Sequence, residues 1–155
     1  MYKGLLHLHS VLRWIILILL LVAVYKNFAD RNKAFTPGHR KTALLLMICA
    51  DIMLLIGLYQ WFTGPWGLKS IQNNGMSLVM KNSMLRFFAI EHLIGMLIAI
   101  ILIHIGYAYS KKNITDAVKH KRAVLFFGLA LLIILISIPW PFRLVGEGRT
   151  WFPGM

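Results

Sequence analysis

A chain of 155 residues is long enough for one domain, and 59% of it is hydrophobic, with a mean hydropathy of +0.70. So little polar surface cannot cover a soluble globule of this size, which excludes an ordinary soluble domain and points to an integral membrane protein with the lipid bilayer as its solvent. The net charge of +12 is not that of a nucleic-acid binder, because the basic residues flank apolar runs and do not gather on one folded face.

Four runs approach the ~20 residues that span a bilayer. They cover about residues 5–26, 42–63, 84–109 and 122–140. Backbone groups in lipid must pair internally, so each run is predicted to be a helix. Short connections then predict an all-α, up-down four-helix bundle forming one transmembrane domain over 1–155.

The first run, "LLHLHSVLRWIILILLLVAVYK", carries His7, His9 and Arg13. It is too long for the apolar part of a signal peptide and has no small-residue cleavage site, so it counts as structure. Loop 26–41 follows, with Lys26, Arg31, Lys33, Arg40 and Lys41, and its His39 is expected to be solvated. The second run, "TALLLMICADIMLLIGLYQWFT", holds Asp51 and the single cysteine, Cys49. One cysteine excludes an intrachain disulfide and a cysteine metal cage.

Part of loop 64–83 falls in the stretch "MSLVMKNSMLRFF" (76–88), which either extends the third helix or lies in the membrane interface. The third run, "LRFFAIEHLIGMLIAIILIHIGY", places Glu91 beside His92 and adds His104. Loop 110–122 holds Lys111, Lys112, Lys119, Lys121 and Arg122, and His120 there is expected to be solvated. The fourth run has nothing ionisable within its span, and Pro139 and Pro141 end it.

The other side carries Lys3, Lys69, Lys81, Arg86, Arg143 and Arg149, spread over three segments. The positive-inside rule therefore puts both dense basic loops in the cytoplasm and both termini outside. Trp61, Trp66, Trp140 and Trp151 form an aromatic belt at the outer face.

Ionisable residues inside a membrane are costly and usually functional. At about 1.5 Å per residue, His7 lies about 3 Å below the outer face, His9 about 6 Å, Arg13 about 12 Å and Asp51 about 18 Å. Glu91 and His92 lie about 10–12 Å down, so three helices place polar groups in the outer half. A guanidinium at that depth needs an acid, and Glu91 or Asp51 is the predicted partner of Arg13.

Helices one and three are diagonal in an up-down bundle, so His92 faces His7 or His9 across the axis at similar depth. That geometry suits the two axial ligands of a haem. Phe88, Gly95, Met96 and Ala99 share the side of His92, and Gly95 and Ala99 leave room for a flat macrocycle. The same small residues would equally allow close helix packing with no ligand. His7 and His9 stand about 200° apart on a helix, so one of them alone faces the axis. If residues 5–9 are extended, both point one way and could form a small-metal site with Glu91 and His92. His104 is about 120° around the helix from His92 and is expected to face elsewhere.

"LHLHSVLRW", "LLIGLYQW" and "MKNSMLRFFAIEHLIGM…HIGY" resemble a family of small four-helix bacterial membrane proteins labelled cytochrome b-like. The resemblance covers the first three helices. It implies haem between membrane helices, with His7 or His9 and His92 as ligands, in a multi-pass protein of the bacterial inner membrane.

Three functions are open on this reading. The first is a single-haem electron carrier or subunit whose partner is a lipid quinol or a redox protein, with Arg13 or Arg86 holding the propionates. The second is a metal site of His7, His9, His92 and Glu91. The third is a non-catalytic membrane subunit or assembly factor in which the polar layer fixes helix register. Homo-oligomerisation stays open beside all three. Nucleophile motifs, phosphate-binding glycine loops and H-E-x-x-H are absent.

Overall fold

A computed structural model of the chain describes residues 2–146 and Trp151, and every regular element among them is helical. Arg149, one of the residues counted on the outer side, lies outside the described residues. Helix α1 runs Tyr2–Ala29 and α2 runs Pro37–Thr63. Three short helices follow, α3 (Leu68–Asn74), α4 (Met76–Lys81) and α5 (Ser83–Arg86). A π-turn at Phe87–Glu91 leads into α6 (His92–Lys111), and α7 covers Asp116–Ser137. Among the described residues four stretches are long and apolar enough to cross a membrane: Gly4–Ala29, Pro37–Asn74, Ser83–Lys111 and Asp116–Ser137.

The long helices form a closed ring. Helix α1 packs on α2 and α7, and α6 packs on the same two, so α1 and α6 stand diagonally across the bundle. The interior is built from all four, with Leu20, Leu46, Ile103 and Phe127 fully buried among small residues such as Ala23, Ala50, Ala99 and Ala130. The outside is as apolar as the inside. Ile18, Leu55, Ile101 and Leu132 are all more than half exposed, an arrangement that lipid accommodates and water does not.

Helix ends follow local chemistry. Helix α2 begins earlier than its apolar run because Pro37 occupies its first turn, where no N–H is needed, and Thr36 is its N-cap. Residues 83–88 extend the third helix at its N-terminal end, whereas Met76–Lys81 form a separate short helix. Asn82 separates the two, its side-chain oxygen accepting from the backbone N–H of Met84 (3.0 Å) and Leu85 (3.1 Å) and so capping the start of the third helix.

Helix α7 ends at Ser137, as the two prolines require. In a continued helix the Leu135 and Ser137 carbonyls would accept from residues 139 and 141, and proline has no N–H to give. Side chains replace those donors. Trp140 Nε1 donates to Leu135 O (2.8 Å), Arg143 Nη1 donates to Ile136 O and to Ile138 O (3.2 Å), and His92 Nδ1 donates to Ser137 O (2.7 Å).

His39 and His120 correct the expectation that both are solvated. They are 4% and 0% exposed, and their rings meet edge to face at 4.8 Å between centres. The Thr36 backbone N–H donates to His39 Nδ1 (3.2 Å), so Nε2 carries the proton shared with Asp30 Oδ2 (3.1 Å). His120 Nδ1 contacts Asn27 Oδ1 (2.9 Å), while Asn27 Nδ2 donates to Ala23 O (2.8 Å). This buried network ties the C-terminal turn of α1 to the N-terminal turns of α2 and α7. In the adjoining loop, the hydrogen bond from the Lys33 ammonium holds the Asp30 carboxyl below the usual carboxylate range.

Candidate functional site

The π-turn sets the position of His92. Its backbone N–H reaches back five residues to Phe87 O, and the turn's Ala89 carbonyl accepts the Trp61 indole N–H (2.9 Å) from α2. Such single wide turns inside α-helices occur often at functional sites. The His92 ring then packs on Phe87 at 5.9 Å and turns its Nδ1 to the Ser137 carbonyl of α7. A carbonyl accepts only, so Nδ1 carries the proton and Nε2 the lone pair of the neutral ring.

His9 comes from the diagonal helix. Its ring centre lies 6.4 Å from that of His92, with the planes at 54°. On the α2 side it lies against Gly57, where a Cβ would stand 3.4 Å from His9 Cε1. Its Nδ1 is buried without a hydrogen-bond partner among the described residues.

Both rings line one cavity of about 200 Å³ between the helices, well beyond the roughly 10–15 Å³ that one water needs. Phe88 from the π-turn and Met96, Ile100 and Ile103 from α6 form one wall, Met53 and Leu54 face them from α2, and Ser10, Arg13 and Gln60 add polar groups.

The other sequence candidates divide. Helix α1 is continuous through residues 5–9, so His7 points outward and is exposed while His9 points inward. Glu91 also lies outside the cavity. Arg86 Nε sits 2.6 Å from Glu91 Oε1, the two side chains being 36% and 46% exposed. The set His7, His9, Glu91 and His92 is therefore not brought together. Among the described residues no group of three or more His, Cys, Asp or Glu side chains could hold a metal ion.

Arg13 differs from its expected pairing. Glu91 faces Arg86, and Asp51 lies 3.3 Å from His104. Arg13 Nη2 donates to Trp151 O (2.9 Å), which also accepts the Trp14 indole N–H (3.1 Å). The guanidinium thus holds Trp151 against α1. Arg86 also donates to Met80 O (2.8 Å) and does not line the cavity.

Gly95 does not make room for a macrocycle. A Cβ there would strike Ser137 Oγ, so the glycine admits α7 rather than a ligand. Ala99 is fully buried in the core. The residues that sequence reading missed are Ser137, whose carbonyl orients His92, and Gly57, which seats His9. Pro141 signals the first, since its missing N–H frees the Ser137 carbonyl. Comparison with known proteins finds no matching family model, no matching curated protein and no matching solved structure.

Proposed function

We propose that this chain is a membrane-embedded, single-haem electron carrier or haem-bearing subunit, in which His9 and His92 would hold the haem. The observation that carries this reading is the 6.4 Å separation of the two imidazoles, presented by diagonal helices at the wall of one cavity. Two ring nitrogens about 2 Å from a shared ion leave their ring centres about 6 Å apart.

The residues fit such a group in further respects. Ser137 O fixes the His92 ring through Nδ1, the usual outer-shell arrangement of a metal-binding histidine. His9 offers a buried nitrogen with no protein partner among the described residues. The walls are mainly aliphatic and aromatic, and Arg13 would supply a cation for an anionic edge. A haem held by these residues would supply one-electron transfer. A lipid quinol or a partner redox protein would be the source or sink. In this reading the basic loops face the cytoplasm of a bacterial inner membrane, both termini lie outside, and the pair occupies the outer half.

A second reading, a non-catalytic membrane subunit, is favoured by one observation: His92 also caps α7, beside a glycine that admits Ser137. The optical spectrum separates the two. Protein purified from cells supplied with haem precursor should hold one haem per chain, with a Soret band and sharp reduced α and β bands. Folded protein that stays colourless, and takes up no haem when titrated, supports the packing role instead.

A further inference from the structure

The Asp51–His104 pair lies on the outside of the bundle. Asp51 Oδ1 is 3.3 Å from His104 Nε2, with side chains 43% and 44% exposed. Asp51 is ten residues from Lys41, so it lies about 15 Å from the basic end of α2, near the middle of a bilayer core about 30 Å thick. His104 is seven residues from Lys111, or about 10 Å from the basic end of α6. The exposed neighbours one turn away are Ile48, Leu55, Ile101 and Ala108, all apolar, and those two turns away are Leu97, Tyr59 and Lys111. An acid–histidine pair opening onto hydrocarbon is the reverse of the usual case, in which membrane ionisable groups face a bundle interior or an aqueous cavity.

The pair's protonation is constrained. The Ile100 carbonyl accepts from His104 Nδ1 (2.9 Å), so Nδ1 carries a proton. A bare lone pair on Nε2 facing a carboxylate would leave an uncompensated charge in hydrocarbon. The contact therefore holds one proton, as imidazolium with carboxylate or as imidazole with carboxylic acid, and is neutral in either form.

We infer that this face, centred on Asp51 and His104, is the interface with a second copy of the chain in the membrane. The argument is complementarity at a single depth. A two-fold axis along the membrane normal keeps both copies upright and moves no atom in depth. Because the acid and the imidazole already share one level, the axis sets Asp51 opposite the second copy's His104, and His104 opposite the second copy's Asp51. Two neutral pairs then close into one ring of four polar groups, covered by flanking aliphatic side chains. A different partner would have to bring its own matched polar groups to that depth, whereas a second copy has them by symmetry. The inference is independent of the haem reading, since the face points away from the cavity.

The test is cysteine cross-linking in native membranes, in a Cys49→Ser background that retains the rest of the chain. Ile101→Cys should form a disulfide-linked dimer on mild oxidation. Leu132→Cys, on α7 and equally exposed, should not. The dimer fraction in dilute proteoliposomes should fall roughly tenfold in Asp51→Leu/His104→Leu, two interhelical polar contacts of ordinary membrane strength being lost. That variant removes polar groups from a lipid-facing surface, so it should keep its helical circular dichroism. Equal linking at both cysteines, a dimer undiminished in the double variant, or a different membrane protein linked at Ile101→Cys would each overturn the inference.

Discussion

Glu91 and His92 are adjacent in sequence and opposite in role, which shows how much one residue's direction decides inside a membrane. Glu91 sits at the rim with Arg86, partly exposed, so Glu91→Gln should change stability by no more than about 1 kcal/mol, as for surface pairs generally. Unfolding in a detergent titration measures this, and a loss of several kcal/mol would mean that the carboxylate is buried in the membrane form. Asn27 presents the contrary case. It is 2% exposed and carries His120 on its side-chain oxygen. Asn27→Leu leaves a buried imidazole N–H with no acceptor and should cost about 1–3 kcal/mol. The inner latch was not legible in the sequence because His39 and His120 stand in strongly basic segments, where composition reads as solvated loop. Only the packing of three helix ends reveals that both rings are enclosed.

The long helices were legible because an apolar run of about 20 residues fits a bilayer span and little else. Their facing was much less so. In a soluble helix the apolar stripe marks the inside, but these helices are apolar all round, and the 3.6-residue period carries little signal. That is why Asp51 and His104 could not be placed outward, nor Gly95 assigned to α7. The π-turn left no mark either, since Phe-Phe-Ala-Ile-Glu is ordinary helical sequence. The α6–α7 contact has a sharper test at Gly106, where a Cβ would stand 2.5 Å from Cε1 of the buried Phe127 ring. A planar ring held on all sides cannot yield, so Gly106→Ala should destabilise by about 1–3 kcal/mol. Gly57→Ala meets His9 at ordinary contact distance and should cost clearly less in the same thermal-unfolding series. Equal effects would argue that the two contacts are equally tight.

As a whole the molecule has a latched end and an end with a cavity. The dense basic loops and the His39–His120 network close one end, while the cavity between His9 and His92 lies toward the other. The proposed orientation predicts that, in a Cys49→Ser background, a cysteine at Asn73 is labelled from outside intact cells and one at Asn113 is protected. The opposite pattern would invert the protein in its membrane. The helix count and the diagonal pairing could be read from the sequence; the choice between His7 and His9 could not, because it depends on α1 being helical through residue 9. That choice also gives the most direct test of the account, the absorption spectrum of haem-titrated protein in four single variants. His9→Ala and His92→Ala should each lose the low-spin spectrum with its sharp reduced α band, while His7→Ala and His104→Ala should keep it at wild-type intensity. A spectrum that survives His9→Ala, or that fails in His7→Ala, would contradict the assignment of the 6.4 Å pair as the haem-binding centre.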